Sequence, residues 1–589
     1  MAVKEEAPRA RDHRIAGRGA AQAGRCLSKP VLLLAAMVAI GFCYRLIGLR
    51  FGLPELYHAD EPIVVHHALA YGAGDLNPHF FQIPPLISYL LFFAYGAYFL
   101  AGWLIGKFSS AGAFADLFLT DPTNLYVLGR FLLGVLPGTA AILAIYFLAK
   151  RVATQKAGLW AAVLLSVCFL PVRDSHYIYT DIPLSLALVV GMITMLRLFE
   201  RGAIRDYAWA GVMVGLCTAI KYNAALIGCA YLAAHLLRAM PLRIKLLSGR
   251  FWVGVAACFG LFILANPFSV LDFWFFRTSF ARQGAAQGFV GWSHHLSYSL
   301  VGGMGGIAVA AALAGMGLSV YLNNRKAWIV LAFVLPFYGA ITLFGQPHDR
   351  YVLPLIPFAC LFVGLFADWA MQRMEPRLKA GVLLGLVVFL ILPMAIKSAY
   401  SDWLFLQPDS RTQAKRWIES HVSAGAKIAL DHTFYVPKLL PTKEQLLQKW
   451  ESAKTKETGA DQKQRKLQRL LALVRPGEAR YNLYFISDRM GDSKGFLFAE
   501  PRIAYDFDAL RKEGIKVVVT HRLGAWKSHF AFFAQVEQHS TNAYRFSPYR
   551  AAWRDFSREP LVRTGGAFLW SEMLDRRSNG EYVTVYLLE

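Results

Sequence analysis

The chain has 589 residues, of which 56% are hydrophobic and only 17% are charged. A soluble globular protein carries about 25% charged residues, so this composition excludes a soluble enzyme, a disordered chain and a fibrous protein. Seven cysteines without a CxxC pair exclude a disulfide scaffold. What remains is a membrane protein with many spans. Its net charge of +23 is expected to face the cytoplasm and lipid headgroups rather than nucleic acid.

The N-terminal part begins with a polar, basic stretch and continues into the first apolar run. Residues 1–30 predict a disordered cytoplasmic tail, and residues 31–49 predict the first span. A cleaved signal peptide is the alternative, but Arg45 and Arg50 stand where small residues would mark a cleavage site. The later apolar runs lie at 84–106, 126–149, 157–172, 182–199, 208–221, 223–237, 251–267, 298–321, 327–346, 351–371 and 379–397. We therefore expect residues 31–397 to form a transmembrane domain.

Basic clusters between these runs predict the direction of the chain across the membrane. From residue 126 onward they occur at every second loop, which places them together in the cytoplasm. They are Lys150/Arg151/Lys156, Arg201/Arg205, Arg238/Arg243/Lys245/Arg250, Arg325/Lys326 and Arg373/Arg377/Lys379. The alternation holds only if 84–106 lies along the outer face, or re-enters it, without crossing. The prediction is then about 11 spans, a cytoplasmic N-terminus and one long outer loop at 50–125.

The composition changes after the last apolar run. Residues 398–589 contain no long apolar run, and they predict a soluble α/β domain on the outer face, periplasmic or extracellular. Short β-type runs occur at Lys427–Leu430, Lys516–Thr520 and Tyr582–Leu587, and a charged helical stretch occurs at 442–474. The predicted fold class is mainly α: a polytopic helical membrane bundle with a C-terminal soluble α/β domain.

Polar residues collect at four predicted outer ends of the spans, where a charged group is costly and therefore informative. The candidates are His58, Asp60, Glu61 and His79 in the first outer loop, Arg173, His176, Tyr177 and Asp181 in the second, Lys221 and Tyr222 in the third, and His348, Arg350 and Tyr351 in the fourth. Structural alternatives remain open, because Asp60, Glu61 and Asp181 also suit the starts of helices. Arg173 also suits a solvated pair with Asp174.

Together the clusters place carboxylates and cations on one side of one bundle. A carboxylate can deprotonate a hydroxyl or hold a divalent cation. Lysine and arginine can hold a phosphate. The sequence contains no Walker A motif, no dinucleotide-binding GxGxxG and no GxSxG elbow. It also has no cytoplasmic acidic cluster for a nucleotide-sugar. The residues therefore indicate a donor that is not linked to a nucleotide.

These motifs resemble the GT-C membrane glycosyltransferases, most closely the protein O-mannosyltransferase-like glycosyltransferase family 39. The resemblance covers roughly residues 30–400 and depends on the order of five stretches: His58–Glu61, Gly74–Phe81, Ser175–Pro183, Thr218–Asn223 and His348–Pro354. It implies an enzyme with a GT-C bundle that takes a sugar from a polyprenyl-phosphate donor. The acceptor is a hydroxyl of a protein, lipid or glycan, and the transfer inverts the anomeric centre on the outer side of the membrane.

The resemblance also implies roles for the candidate residues. Asp60 matches the acid that acts as base on the acceptor hydroxyl, and Glu61 is its neighbour. Asp181 matches the second-loop acid that assists the site. Lys221 and Arg350 are expected to hold the leaving phosphate, and the other candidates are expected to bind substrate. No cofactor is implied with certainty; a divalent cation such as Mg²⁺, Mn²⁺ or Zn²⁺ would be held by Asp60 and Asp181.

Two departures narrow the resemblance. Gln82-Ile83-Pro84 stands where aminoarabinose transferases resemble Glu-Lys-Pro, and a lysine for the lipid phosphate is missing. No Trp-Trp-Asp triplet occurs, so oligosaccharide transfer to asparagine is not expected. The alternatives from other classes are a transporter or lipid flippase and a receptor or assembly protein. The position of the acids at outer ends and the lack of repeats favour the transferase.

Overall fold

The structure is a computed structural model that describes residues 28–589 except 242, 244, 246, 285–290, 344–347, 432–434, 454–459, 487–500, 522–528 and 551–568. The disordered tail predicted at 1–30 lies outside the described residues apart from 28–30.

The membrane part consists of helices joined mainly by short turns. Its first half contains α1 (Lys29–Leu46), α2 (Glu61–Ala70), α3 (Leu86–Leu104), α4 (Ala111–Thr120), α5 (Thr123–Val152), α6 (Gln155–Val167), α7 (Phe169–Asp174), α8 (Asp181–Arg201), α9 (Ile204–Ile220) and α10 (Ile227–Leu236). Its second half contains α11 (Gly249–Ala265), α12 (Phe273–Gly284), α13 (Trp292–Met304), α14 (Gly306–Tyr321), α15 (Arg325–Ile341), α16 (Asp349–Arg373), α17 (Pro376–Leu386) and α18 (Leu392–Leu406).

Local sequence explains where several of these helices begin. Pro30, Pro62 and Pro376 occupy the first turns of α1, α2 and α17, where a backbone N–H has no helical partner to lose. The side chains of Thr154 and Asn324 accept hydrogen bonds from the first backbone N–H groups of α6 and α15. The ends of the spans therefore follow from residues that the printed sequence shows.

Most predicted apolar runs form helices, but the number of spans stays a prediction. Within the described residues, 6 helices are long and apolar enough to cross a membrane, or up to 7 if a bent pair counts as one span. Leu86–Leu104 is among the 6, so its length and composition suit a crossing as well as the predicted outer position. The chain is an integral membrane protein with a mainly helical bundle.

Two predicted runs are broken rather than continuous. The run at 157–172 is interrupted at Cys168, where extended backbone separates α6 from α7. The run at 298–321 bends by 115° between α13 and α14. Gly305 lies at this bend with a φ of 88°, which an L side chain rarely adopts. Hydrophobicity alone predicts neither break, because both sides of each are apolar.

The C-terminal region forms the predicted α/β domain. It contains α19 (Ser410–His421), β1 (Lys427–Leu430), β2 (Leu440–Pro441), α20 (Lys443–Ala453), α21 (Ala460–Ala472), β3 (Arg480–Ile486), β4 (Arg502–Ile503), α22 (Phe507–Lys512), β5 (Val517–His521), α23 (Phe530–Gln538), β6 (Ser540–Phe546), α24 (Trp570–Leu574) and β7 (Val583–Leu588). The 7-stranded sheet has the order β2-β3-β1-β5-β7-β6, with β4 beside β3. β1 pairs in parallel with β3 and β5, whereas β7 is antiparallel to β5 and β6.

Polar contacts hold this domain against the loop that follows α1. The hydroxyls of Tyr57 and Thr412 lie 3.0 Å apart. The guanidinium carbon of Arg411 lies 3.9 Å from the centroid of the Tyr57 ring. The Lys415 ammonium donates to the Glu55 carboxylate over 3.3 Å. These contacts fix the loop that leads directly to the first candidate cluster. The boundary at 398 remains a prediction, since α18 continues to Leu406.

Candidate active site

Asp60 and Asp181 stand at the starts of helices, but neither carboxylate caps one. α2 begins directly after Asp60, whose side chain makes no capping hydrogen bond. α8 begins at Asp181, and the preceding Thr180 side chain makes none either. Both carboxylates bond instead to cations from other parts of the chain. The interpretation of these two acids as helix caps is therefore wrong, because their carboxylates form ion pairs across the bundle instead of bonding to the first N–H groups of a helix.

Asp60 forms an ion pair with Arg350, which lies at the start of α16. The two side chains are only 23% and 15% exposed, respectively. The guanidinium also lies over the Tyr179 ring, with 4.4 Å between its central carbon and the ring centroid. Burial raises the pKa of Asp60, but the charge of Arg350 outweighs it, so the carboxyl pKa lies below its ordinary value. The carboxylate is therefore ionised at neutral pH.

Asp181 forms the second pair, with Lys221. The Lys221 ammonium donates to Oδ1 of Asp181 over 2.6 Å. Among the described residues, the buried Oδ2 of Asp181 has no hydrogen-bond partner. The same ammonium lies 5.9 Å from the centroid of the Tyr179 ring and 5.6 Å from that of Tyr351. Since Tyr179 contacts Lys221 and Arg350 alike, the two acid–cation pairs form one group, which we call the acid–cation cluster (Asp60, Arg350, Asp181, Lys221, Tyr179 and Tyr351).

Arg173 lies behind this cluster and joins two elements of the bundle. Its guanidinium bonds to Asp349 over 2.9 Å and to Asp174 over 2.8 Å. The Arg173 side chain is buried, at 3% exposure, so the solvated pair considered from sequence is wrong. Because Asp349 directly precedes Arg350, this contact fixes α16 where it presents its guanidinium to Asp60.

Glu61 lies in a closed network rather than in the cluster. Both of its carboxylate oxygens accept hydrogen bonds from Arg130, each over 2.7 Å, and Oε1 also accepts from the backbone N–H of Ile178 over 3.0 Å. Arg130 donates further to the carbonyls of Leu49 and Phe51 over 2.8 and 2.7 Å. Both charged side chains are essentially unexposed. This arrangement fixes the loop before α2 to the loop before α8.

The candidate residues His58, His176 and Tyr177 pack beside that network. The His58 and Tyr177 rings stack with 4.2 Å between centroids. Burial lowers the pKa of His58 to about 4, so its imidazole is neutral at pH 7. His176 is buried between two backbone carbonyls, with Nε2 2.7 Å from Ile47 and Nδ1 3.0 Å from Val172. Their described contacts are structural.

The remaining candidates lie at different distances from the cluster. His348 contacts Tyr351, with 5.2 Å between ring centroids. Tyr222 follows Lys221 in the chain and packs against Phe280 at 5.2 Å. His79 is not brought to the cluster by any described contact: it is 61% exposed and pairs with Asp75 over 2.8 Å.

Three residues of the site were missed by the sequence reasoning. Tyr179 lies inside the second polar motif and supplies the ring shared by both cations. Arg130 is a charge inside an apolar run, which is a signal of function or structure in a membrane helix. Asp349 stands in the fourth motif beside Arg350 and fixes Arg173. Only their contacts in the folded structure distinguish Tyr179, Arg130 and Asp349 from neighbouring residues that play no part in these interactions.

A divalent cation does not fit the described arrangement. Metal ions in proteins prefer several oxygen or nitrogen ligands that converge on one point. The described residues contain no group of three or more histidine, cysteine, aspartate or glutamate side chains that could hold a metal. Asp60 and Asp181 each already bond to a cationic side chain.

Residues 126–267 match the family model of dolichyl-phosphate-mannose-protein mannosyltransferases. Over the part of the chain that it covers, this match agrees with the resemblance to the GT-C glycosyltransferases and with the expected transferase class, and it does not favour the transporter alternative. No curated protein matches the chain.

Solved structures, among them the following two, are also similar to the chain at low identity. The apo oligosaccharyltransferase of Archaeoglobus fulgidus has 13% identity and a TM-score of 0.49, with 90% of this chain and 74% of that chain covered. ArnT from Cupriavidus metallidurans bound to undecaprenyl phosphate has 13% identity and a TM-score of 0.48, with 94% and 97% covered.

Proposed function

We propose that the protein transfers a sugar from a polyprenyl-phosphate donor to an acceptor hydroxyl, with inversion at the anomeric carbon. The acid–cation cluster is the observation that carries this proposal, because it combines a base for the acceptor with two cations for a leaving phosphate. The match of residues 126–267 to a mannosyltransferase family that uses a lipid-phosphate sugar supports the same reaction.

In the proposed mechanism the donor phosphate binds to Lys221 and Arg350. An arginine can hold a phosphate with two parallel hydrogen bonds, and both cations offset the charge that grows on the leaving oxygen. The phosphate then competes with Asp60 for the guanidinium. Partial release from Arg350 raises the pKa of Asp60 from its lowered value, and a carboxylate with a higher pKa is a stronger base.

The bond changes follow from this placement. The acceptor oxygen attacks the anomeric carbon from the face opposite the phosphate, and its proton passes to the Asp60 carboxylate. The bond between the anomeric carbon and the phosphate oxygen breaks, and the polyprenyl phosphate leaves with both bonding electrons. Asp181 positions Lys221 through their 2.6 Å hydrogen bond. We assign Glu61 and Arg173 positioning roles through the loops that they fix.

The proposed orientation places the N-terminus in the cytoplasm and residues 398–589 in the periplasm or outside the cell. The basic loops listed from sequence support this direction, because positive charge stays on the cytoplasmic side. The C-terminal domain then covers the cluster and contributes to the choice of acceptor. Its contacts with Tyr57 support that role, since Tyr57 lies three positions before Asp60 in the same loop.

The test uses the full chain in nanodiscs with labelled polyprenyl-phosphate sugars and an envelope extract as the source of acceptor. We expect extract-dependent release of free polyprenyl phosphate. Asp60→Asn is expected to lower turnover by about 10²–10⁴-fold, the usual contribution of a general base. Asp75→Asn is the matched control, because Asp75 is an exposed carboxylate of the same loop that contacts His79 and not the cluster. Near-normal turnover by Asp60→Asn would contradict the assignment.

A further inference from the structure

A cavity of about 250 Å³ lies in the membrane part, apart from the acid–cation cluster. Its walls come from the bend between α13 and α14, from α18 and the helical residues Val387–Ile391 directly before it, from Phe169 of α7, and from Trp570 in α24 of the C-terminal domain. None of the six residues of the cluster lines it among the described residues. The cavity is therefore a second space, on the side of the bundle that carries the C-terminal domain.

The cavity wall is apolar and continues onto an exposed apolar surface of the bundle. Leu390 and Met394 are buried, at 3% and 5% exposure, whereas Phe389 and Ile307 are 65% and 57% exposed. Exposed apolar side chains on a membrane helix contact the hydrocarbon of the lipids. A lipid chain can therefore pass from the bilayer along this surface into the cavity.

Lys397 is the one charged residue among the described residues that line the cavity. Its side chain is buried, at 5% exposure. The ammonium donates to the carbonyl of Gly302 over 2.6 Å and lies 4.3 Å from the centroid of the Phe169 ring. A charge inside a membrane protein is costly, so it commonly marks a binding or transport site. An ammonium carries three N–H donors, and a phosphate presents several acceptors.

The start of α14 adds a second positive feature to the same cavity. Gly306, Ile307 and Ala308 form its first turn and line the space. The first N–H groups of a helix have no partner within the helix and carry partial positive charge, which favours an anion. Gly305 leaves this backbone open, because a Cβ placed there would meet nothing within 4 Å.

We propose that this cavity binds an anionic lipid of the bilayer, with its phosphate between Lys397 and the start of α14 and its hydrocarbon chain along α18. In its protonated form the Lys397 ammonium favours an anion, and the apolar wall favours a lipid over free phosphate. Trp570 lies over the cavity with a ring that is polar at one end and apolar at the other, as is common at the membrane interface. This site does not depend on the proposed transferase activity.

The test measures lipid retention by native mass spectrometry on the full chain released from detergent. The probes are dioleoyl phosphatidic acid, dioleoyl phosphatidylcholine and inorganic phosphate. We expect one phosphatidic acid to be retained with at least about tenfold preference over phosphatidylcholine. Lys397→Met is expected to remove that preference, and Lys397→Arg to keep it. Ile307→Trp narrows the entrance without removing the charge and is expected to weaken binding of the lipid.

Lys221→Met is the matched control, because Lys221 belongs to the acid–cation cluster and does not line this cavity. It should leave retention of phosphatidic acid unchanged, which separates this site from that of the proposed donor phosphate. Equal retention of phosphatidylcholine would overturn the selection by charge, and displacement by inorganic phosphate at similar concentration would overturn the lipid site. If Lys397→Met does not fold, unchanged retention in Ile307→Trp refutes the proposal.

Discussion

The pair of Glu61 and Arg130 offers a quantitative test of how the loop before α2 is held. The perturbation is a cycle of Glu61→Leu, Arg130→Met and the double variant. Removal of either partner leaves the other charge buried, since both side chains are at most 1% exposed. Breaking a buried ion pair in this way costs about 3–5 kcal/mol of unfolding free energy. Each single variant is therefore expected to be strongly destabilised.

The double variant removes both charges and so avoids the unpaired one. Independent effects would sum to about 6–10 kcal/mol, but residues in one network couple by about 0.5–3 kcal/mol. The double variant is expected to be more stable than the sum predicts by that amount. Some cost remains, because the carbonyls of Leu49 and Phe51 and the N–H of Ile178 lose their partners.

Equilibrium unfolding by SDS in mixed micelles measures all three variants against the wild type. A matched control is Arg377→Met, since Arg377 lies in an exposed pair with Glu375 and is expected to change the unfolding free energy little. Additive effects in the cycle, or single variants as stable as the wild type, would refute the reasoning.

Three further predictions concern pH and metal. Arg350→Gln removes the charge that lowers the pKa of Asp60, so the acidic limb of the pH profile of kcat/KM should move to higher pH. An acidic limb that stays at the same pH would contradict the assignment of Asp60 as the base. Transfer should survive EDTA, because Asp60 and Asp181 already bond to cations; activity restored only by added metal would contradict this. Burial lowers the pKa of His521, but the neighbouring Asp431 carboxylate raises it by more, so the pKa lies above its ordinary value. The pair therefore stabilises the fold fully below about pH 6.5, and this stabilisation is lost as the pH rises through the raised pKa of His521. The melting temperature of the wild type should fall with rising pH by more than that of His521→Gln, and an equal fall in both would disprove the contribution of the pair.

The sequence predicts much of the fold because its signals are local. Apolar runs predict the helices, and β-type runs predict three strands within a residue or so of their observed bounds: Lys427–Leu430, Val517–His521 and Val583–Leu588. The bend at Gly305 was not predictable, because glycine in an apolar run is compatible with a straight helix and with a break. Within the described part of the stretch 442–474, the expected helical structure is found in α20 and α21.

The candidate site was predicted in its residues but not in its pairs. The carboxylates and cations stand out because charge is rare in such a chain, and their common side follows from alternation of the spans. Sequence cannot tell that Asp60 contacts Arg350 while the adjacent Glu61 contacts Arg130. The two adjacent side chains reach different partners because the backbone at the start of α2 directs them to different sides. The roles assigned to these residues remain predictions.

The position of β7 has a consequence for biosynthesis. This strand lies between β5 and β6 in the sheet, although it is formed by residues near the end of the printed sequence, Val583–Leu588. The sheet can therefore close only after the chain has been synthesised as far as Leu588. Since Arg411 and Thr412 of the same domain hold the loop before Asp60, we expect that loop to reach its final position late. In a nascent chain the membrane helices would then enter the bilayer before Asp60 reaches its final position beside Arg350 in the acid–cation cluster.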